Sequence, residues 1–120
     1  MQILLTGASG YIGTHIIISL LDMGFDVVGI DNFSNSNIDA VTAIEKMTNK
    51  KIKFYEGDIL DVELLDNIFL ENKIEAVVHL AGLKSVSKSF LYPETYHEVN
   101  VIGTKNIVNK MLQYNICNLI

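Results

Sequence analysis

Short apolar runs alternate along the chain with longer segments in which apolar residues recur every three or four positions. The runs are mostly apolar at successive positions, as expected of parallel strands that helices cover on both faces. They predict strands at residues 2–6, 25–30, 52–55 and 76–80. The periodic segments predict helices at about 11–23, 37–49 and 61–71, and a long helix that begins at Pro93. This order predicts an α/β fold with a doubly wound parallel sheet.

A fifth apolar run begins at the end of the sequence, at Asn118, Leu119 and Ile120. An apolar sheet edge left open at this point would invite pairing with another chain. We therefore expect these residues to be the N-terminal part of a longer protein, with the sheet truncated at its fifth strand.

A glycine turn joins the first strand to the first helix, with the sequence Thr6-Gly7-Ala8-Ser9-Gly10-Tyr11-Ile12-Gly13. Free N–H groups and the positive end of the helix dipole make such a helix start a phosphate site. Gly7 permits the tight turn, Gly10 lets a pyrophosphate approach the main chain, and Gly13 lets the helix lie close to the sheet. The spacing is G-x-x-G-x-x-G and not the commoner G-x-G-x-x-G. An ordinary glycine-rich turn is the alternative.

Asp31 stands at the tip of the second predicted strand, 18 residues after Gly13. A carboxylate at this position accepts hydrogen bonds from the ribose hydroxyls of a dinucleotide and repels a 2′-phosphate. No Arg or Lys follows closely, since the next residues are Asn32, Phe33, Ser34, Asn35 and Ser36. Together with the glycine turn, Asp31 predicts a Rossmann-type domain over residues 1–120 that binds NAD in preference to NADP. A plain loop-starting Asp is the alternative.

Polar residues also follow the third and fourth predicted strands. Asp58 can reach an adenine amino group, or it can be a turn residue or helix cap. The fourth strand leads into a loop past the carboxyl ends of the strands, at the switch point where a doubly wound sheet has its cleft. There Ala81 and Gly82 are small enough to pass under a ribose, and Lys84 and Ser85 face the substrate side. A flexible polar loop is the alternative.

Three positions depart from the apolar pattern around them. His79 alternates with core residues of the fourth strand and is expected to be a hydrogen-bonded core histidine. Asn100 lies on the apolar face of the last helix, so it is expected to be a buried amide that ties the helix to a neighbouring strand or loop, or holds a water. Gly103, costly within a helix, predicts close packing on the sheet.

Composition narrows the function classes. The chain has 49% hydrophobic residues, enough for a core, and a net charge of −5 with nine Lys and no Arg. This charge argues against nucleic-acid binding, and a bound phosphate must be held by backbone, hydroxyls or Lys. The single Cys117 cannot form an internal disulfide, which favours a cytoplasmic location. Residues 1–21 carry no charged side chain, but polar and glycine positions interrupt them, so we expect neither signal peptide nor membrane span but a buried strand and a buried helix.

These motifs resemble the extended short-chain dehydrogenase/reductases, and among them the UDP-glucose 4-epimerases. The resemblance rests mainly on Gly10–Gly13, Asp31–Ser36 and His79–Val86, and residues 56–59 and 100–104 add to it. It covers the whole chain but only the first third or so of a typical epimerase. The Ala-Gly-Leu-Lys sequence that ends at Lys84 is the most specific part, since related dehydratases and decarboxylases usually have another residue there.

The resemblance implies NAD contacts at residues from every part of the predicted cleft. Besides the glycines they are Tyr11, Ile12, Asp31, Asn32, Phe33, Ser34, Asn35, Ser36, Asp58, Ile59, Leu80, Ala81, Gly82, Leu83, Lys84 and Asn100. The position before Asn100 often contributes in the family, but it is Val99 here and is not included. Lys84, Ser85 and Val86 are expected on the substrate side, and no metal site is expected.

The activity that the resemblance implies is the interconversion of UDP-galactose and UDP-glucose. Hydride passes transiently from the sugar C4 to tightly held NAD, and a 4-keto intermediate turns over in the site. The family's base is a tyrosine in Tyr-x-x-x-Lys, but none of the five tyrosines here has Lys four residues later. We therefore expect no catalytic residue in this segment, which would hold and orient the cofactor and be inactive alone. Homodimers are usual in such enzymes.

Two alternatives remain open from the sequence. One is another nucleotide-sugar epimerase or a dehydratase of the same superfamily. The other is a non-catalytic NAD-binding module with a degenerate site, which would bind NAD weakly and reversibly.

Overall fold

The computed structural model describes residues 1–120. Its strands are β1 (Gln2–Thr6), β2 (Asp26–Asp31), β3 (Lys53–Glu56), β4 (Ile74–His79) and β5 (Asn118–Leu119). Its α-helices are α1 (Tyr11–Asp22), α2 (Asp39–Thr48), α3 (Val62–Glu71), α4 (Val86–Leu91), α5 (Pro93–His97) and α6 (Thr104–Gln113). A π-helical segment, Glu98–Gly103, joins α5 to α6. The five predicted strands are confirmed, with bounds that differ from the predicted ones by at most two residues.

The strands form one parallel sheet in the order β3-β2-β1-β4-β5. The order reverses direction at β1, so the chain winds first to one side and then to the other. The loops after β1 and β4 therefore separate above the sheet and leave a crevice between them, as in other doubly wound sheets. The predicted α/β Rossmann-type fold is confirmed.

Two hydrophobic cores cover the two faces of the sheet. Successive residues of β1 point to opposite faces, so Leu4 belongs to one core and Leu5 to the other, and both are fully buried. Leu65 of α3 and Ile107 of α6 pack on the side of Leu4. Ile17 of α1 packs on the side of Leu5. A strand that is apolar at every position is thus explained by burial on both faces.

The helix α1 is buried along one face only, which corrects the expectation of a wholly buried helix. Gly13, Ile17 and Leu21 are its buried residues, whereas Ile12 is exposed at the helix start. The absence of charge in this helix is therefore not explained by burial alone. No helix of the structure has the length and apolar character needed to cross a membrane.

Two helix ends follow from local residue types. The Asp61 side chain caps α3, accepting a hydrogen bond from the backbone N–H of Leu64 at 3.0 Å. Gly24 follows α1 with φ +85°, the left-handed conformation in which helices commonly end.

The segment after β4 differs from the prediction in two ways. The short helix α4 was not predicted, because six residues are too few to establish a helical period; its apolar residues Val86, Phe90 and Leu91 are exposed. The long helix from Pro93 is present, but Glu98–Gly103 within it is π-helical. A π turn takes one extra residue, so it changes the face on which the following side chains lie.

Candidate functional site

A cleft of about 660 Å³ lies above the carboxyl ends of β1, β2, β3 and β4. It brings together most of the residues that the sequence predicts. Predicted residues in its lining are Gly7, Gly10, Tyr11, Ile12, Gly13, Asp31, Asn32, Ser34, Asn35, Ser36, Asp58, Ile59, Leu80, Ala81, Gly82, Leu83, Lys84 and Ser85. One continuous cleft thus joins the glycine turn, the tips of β2 and β3, and the loop after β4.

The glycine turn allows β1 and β4 to approach closely above the sheet. Gly7 has φ +66°, and a Cβ on it would lie 2.8 Å from the backbone nitrogen of Ala81. A Cβ on Gly13 would lie 2.4 Å from the Gly7 carbonyl oxygen and 2.8 Å from that of Ala8. Gly13 therefore lets α1 lie close to the turn itself, which corrects the expectation that it packs on the sheet.

The start of α1 presents unused hydrogen-bond donors to the cleft. Gly10 occupies the N-cap position, no side chain caps the helix, and the first turn has no acidic residue. The backbone N–H groups of Tyr11, Ile12 and Gly13 find no acceptor within the chain. All three residues line the cleft. Free N–H groups at the positive end of a helix dipole fit the phosphates of a dinucleotide.

Asp31 connects the glycine turn to the loop after β2. Its Oδ2 accepts a hydrogen bond from the Ser9 N–H at 3.0 Å, and its Oδ1 accepts one from the Phe33 N–H at 2.9 Å. The Ser36 hydroxyl donates a longer one to Oδ1 at 3.4 Å and lies 2.6 Å from the Ser9 hydroxyl. An ionised carboxylate has about four acceptor sites, so one remains free on Oδ2 for a ligand hydroxyl.

Asp58 has the turn role that the sequence allowed, and it also lies at the cleft. Its Oδ1 accepts a hydrogen bond from the Leu60 N–H at 2.9 Å, as a turn residue does. Its Oδ2 accepts one from the Asn32 side-chain amide at 2.8 Å, which joins the loops after β2 and β3 at the edge of the cleft. Asp58 also lines the cleft, and its contact with an adenine amino group stays a prediction.

Three predicted site residues lie outside the cleft lining. Phe33 has φ +54° and its ring stacks on Phe54 of β3, with ring centroids 5.5 Å apart, so its side chain points away. Val86 begins α4 and is largely exposed. Asn100 is absent from the lining, but its side chain is hydrogen-bonded to Leu83, which is part of it.

Asn100 is exposed, so the prediction of a buried amide is wrong. The predicted tie to a neighbouring loop is confirmed. Its Oδ1 accepts a hydrogen bond from the Leu83 N–H at 2.7 Å, and its Nδ2 donates one to the Leu83 carbonyl at 2.9 Å. Gly103 is in close contact as predicted, but a Cβ there would meet the Ile59 side chain after β3 at 2.5 Å, not the sheet.

Lys84 and Ser85, which are predicted on the substrate side, are also held from within the chain. The Lys84 ammonium donates a hydrogen bond to the Leu80 carbonyl at 3.1 Å. The Ser85 N–H donates one to the Tyr96 hydroxyl at 3.1 Å, and the Ser85 side chain caps α4. Lys84 is the one basic residue of the cleft lining, and Asp31 and Asp58 are the acidic ones.

His79 is half-buried beneath this loop with both ring nitrogens in hydrogen bonds. Its Nδ1 lies 2.6 Å from the Thr6 hydroxyl and its Nε2 lies 2.8 Å from the Thr104 hydroxyl. The predicted hydrogen-bonded histidine is confirmed. Burial, and to a lesser degree the positive charge of Lys84, lowers the pKa of His79 below its ordinary value of 6.5.

Four cleft residues are not among those predicted: Ile30, Gly57, Thr95 and Val99. Ile30 and Gly57 neighbour predicted residues and could have been found from their position at strand ends. Thr95 and Val99 lie four residues apart on one side of the helical run and carry no motif. Val99 was not included among the expected contacts, but it lies in the cleft lining and offers an apolar surface there.

The sequence and the fold of this chain match those of known proteins. The sequence profile of the family described as GDP-mannose 4,6 dehydratase matches residues 4–119. The chain belongs to the GDP-mannose 4,6 dehydratase family. Within this family, its predicted resemblance to the UDP-glucose 4-epimerases is confirmed by individual relatives.

The UDP-glucose 4-epimerase of Schizosaccharomyces pombe is 46% identical over 114 residues, which is 95% of this chain and 32% of that protein. The UDP-glucose 4-epimerase of Bacillus subtilis is 42% identical over 120 residues, or 100% of this chain and 35% of that protein. The crystal structure of the Bifidobacterium longum UDP-glucose 4-epimerase in complex with NAD+ and UDP superimposes with a TM-score of 0.97. It is 38% identical and covers 99% of this chain and 36% of that one.

The chain thus spans about a third of the length of these relatives. It shares its fold with the corresponding part of the Bifidobacterium longum structure.

Proposed function

We propose that this chain is the NAD-binding part of a UDP-glucose 4-epimerase. The observation that carries the proposal is the single cleft that joins the free N–H groups of α1, the Asp31 carboxylate and the loop from Leu80 to Ser85. In a doubly wound sheet, this crevice at the switch point is where a dinucleotide lies.

Each part of the cleft fits one part of NAD. The helix start at Tyr11, Ile12 and Gly13 offers backbone donors to the pyrophosphate, which suits a chain that has no Arg. Asp31 offers its remaining acceptor site to the adenosine ribose. Asp58 lies next to it at the end of β3, within the lining where an adenine ring would rest.

The surroundings of Asp31 favour NAD over NADP. A 2′-phosphate would bring a second anion against this carboxylate. The one basic side chain of the lining, Lys84, belongs to the loop after β4 and donates a hydrogen bond to the Leu80 carbonyl. The loop after β2 offers only amides and hydroxyls from Asn32 to Ser36. No cation is therefore available to neutralise a 2′-phosphate.

Bound NAD would supply a hydride acceptor for C4 of a nucleotide sugar. The residues of this chain would bind and orient it, with Ala81 and Gly82 against a ribose and Lys84 and Ser85 toward the substrate. The acid–base pair is expected outside these residues, because no Tyr-x-x-x-Lys occurs among them. UDP-galactose and UDP-glucose are the proposed substrates, which would place the protein in galactose metabolism.

We also propose that the full-length protein is a cytoplasmic homodimer. The homodimer rests on the resemblance to the epimerases. The exposed apolar side chains of the α4 region, with Phe90 82% accessible, are in keeping with a surface that is covered in the assembled protein. The cytoplasmic location is supported by the single free Cys117.

The test is an activity assay on the full-length protein with a panel of nucleotide sugars. We expect interconversion of UDP-glucose and UDP-galactose without net consumption of NAD. The panel includes GDP-mannose and UDP-glucuronate, each incubated with and without added NAD. Release of a 4-keto-6-deoxy product from GDP-mannose, or turnover of UDP-glucuronate alone, would replace the epimerase assignment by another nucleotide-sugar enzyme. Weak, reversible NAD binding without turnover of any sugar would indicate a non-catalytic module.

A further inference from the structure

His79 is the point at which three separate elements meet beneath the cleft. It stands at the end of β4, and its ring contacts Thr6 at the end of β1 and Thr104 at the start of α6. Thr6 in turn accepts hydrogen bonds from the backbone N–H groups of Leu80 and Ala81, each at 3.1 Å. Leu80 and Ala81 are the first residues of the loop that forms the cleft wall.

The contact with Thr104 decides which ring nitrogen carries the proton. The Thr104 hydroxyl donates its one hydrogen to the Asn100 carbonyl at 2.7 Å, since a carbonyl can only accept. Thr104 must therefore accept from the imidazole at 2.8 Å. The hydrogen of a neutral His79 ring is thus on Nε2.

The contact with Thr6 fits the same tautomer. With the hydrogen on Nε2, the Nδ1 lone pair accepts the hydroxyl hydrogen of Thr6 at 2.6 Å. The Thr6 oxygen is then free to accept from the Ala81 N–H and to share the Leu80 N–H with its own carbonyl. Both ring nitrogens and both hydroxyls are satisfied in one arrangement, and no buried side-chain polar atom lacks a partner.

We propose that His79 is a positioning residue, held as the neutral Nε2–H tautomer, that fixes the Leu80–Ala81 wall of the cleft through Thr6. The inference deepens the proposed function, because it rests on that wall being a cofactor contact. The wall also lies close to Gly7 of the glycine turn. A Cβ on Gly7 would lie 2.8 Å from the Ala81 backbone nitrogen, so there is no space for a side chain. A displacement of the wall would therefore move both sides of the cleft entrance.

Protonation of His79 would oppose this arrangement. A hydrogen on Nδ1 would require the Thr6 oxygen to accept a further bond and to turn its own hydrogen away. The groups that contact the ring from β1 and α6 are uncharged threonines, and the one charge that acts on the ring is the cation Lys84. The lowered pKa of His79 agrees with a ring that stays neutral.

The tautomer is tested by nitrogen NMR of the imidazoles in the full-length protein, with the His79 signals assigned through their loss in His79→Asn. We expect the pattern of the Nε2–H tautomer at neutral pH, retained as the pH falls through the ordinary histidine pKa. An Nδ1–H pattern, or a proton taken up at or above the ordinary pKa, would overturn the assignment. This readout does not depend on NAD, so it remains decisive even if the protein binds no dinucleotide.

The positioning role is tested by NAD binding in two nearly isosteric variants. In His79→Asn the amide oxygen can take the place of Nδ1 and accept from Thr6, whereas His79→Leu has no acceptor. We expect dissociation constants within about twofold of the parent for His79→Asn and about five- to tenfold weaker for His79→Leu, the range for one hydrogen bond. His97→Asn, at an exposed histidine of α5, is the control and should change nothing.

Equal weakening in the Asn and Leu variants would contradict the role of the Thr6 contact, as would unchanged binding in both. If His79→Leu does not fold, binding by His79→Asn decides: affinity within twofold supports the role, and a tenfold loss contradicts it. A parent protein that binds no NAD would refute the proposed function and, with it, the role of the wall, whereas the tautomer would still be settled by NMR.

Discussion

The Asn100 side chain holds both backbone groups of Leu83, accepting from its N–H at 2.7 Å and donating to its carbonyl at 2.9 Å. These two hydrogen bonds join the helical segment to the loop after β4 in the way that paired backbone groups join two strands. It forms within the π-helical segment Glu98–Gly103, where the helix is widened by its extra residue. Such segments are frequent at functional sites, and this one places Val99 in the cleft lining and the Asn100 side chain against Leu83.

Asn100→Asp is expected to lower the free energy of unfolding by about 1 kcal/mol or more. The carboxylate can still accept from the Leu83 N–H, but it cannot donate to the Leu83 carbonyl and places a negative charge beside it. Chemical denaturation of the full-length protein measures the change. Asn109→Asp, at an exposed position of α6 without a side-chain hydrogen bond, is the matched control and should change stability by only a few tenths of a kcal/mol. Equal effects of the two substitutions would show that the Leu83 contacts contribute nothing.

Gly13→Ala is expected to destabilise the protein by about 1–3 kcal/mol and to abolish tight NAD binding. The added Cβ would lie 2.4 Å from the Gly7 carbonyl oxygen, so the glycine turn must move. Gly24→Ala is the control, because φ +85° makes it strained while no atom lies within 4 Å of the new Cβ. We expect it to cost about 1–2 kcal/mol in stability but to leave NAD affinity unchanged. Normal NAD affinity in Gly13→Ala would show that the turn tolerates the movement and would refute its fit to the pyrophosphate.

Stability should depend on the protonation of His79 in mildly acidic solution. Because its pKa is lowered in the folded state, the unfolded chain binds the proton first as pH falls below 6.5. The free energy of unfolding should therefore be constant above this pH and decline as pH falls toward the folded pKa. Urea denaturation at several pH values measures the decline, which should be smaller in His79→Asn. A parallel decline in both proteins would assign the effect to another group.

Carboxyl groups act in a lower pH range and can be separated from this effect. The Lys110 ammonium and the Tyr114 hydroxyl, as hydrogen-bond donors, hold the pKa of Asp66 below its ordinary value of 3.8. Its contribution is present above that value and is lost as pH falls through the folded pKa. The interval between 6.5 and 3.8 therefore reports on His79 more than on Asp66.

The sheet could be predicted from the sequence because burial on both faces leaves a simple pattern. Strands such as β1 are apolar throughout, and the loops between them are marked by residues such as Gly24 and Asp61, whose conformations and caps are local. The glycine turn and Asp31 were also predictable from local sequence. A short glycine spacing determines where the turn lies, and the end of a strand determines where Asp31 lies.

The remaining features depend on contacts between distant residues. Asn100 was expected to be buried from its place in a helical stripe, but the π-helical segment changes the face on which it lies. Phe33 follows Asp31 in sequence yet turns toward Phe54 because its φ is positive. Helix α4 has only six residues, too few for periodicity to reveal it. Thr95 and Val99 reach the cleft only through the packing of the whole helical run.

The most direct test of the cleft as an NAD site is a calorimetric titration of NAD and NADP into the full-length protein, cleared of any bound nucleotide, and into Asp31→Ala. We expect the parent to bind NAD far more tightly than NADP. Asp31→Ala should weaken NAD binding by about 1–3 kcal/mol, the range for hydrogen bonds to a charged group, and narrow the preference over NADP. Unchanged NAD affinity in Asp31→Ala, or a parent that binds NADP as tightly as NAD, would contradict the placement of the adenosine ribose at Asp31.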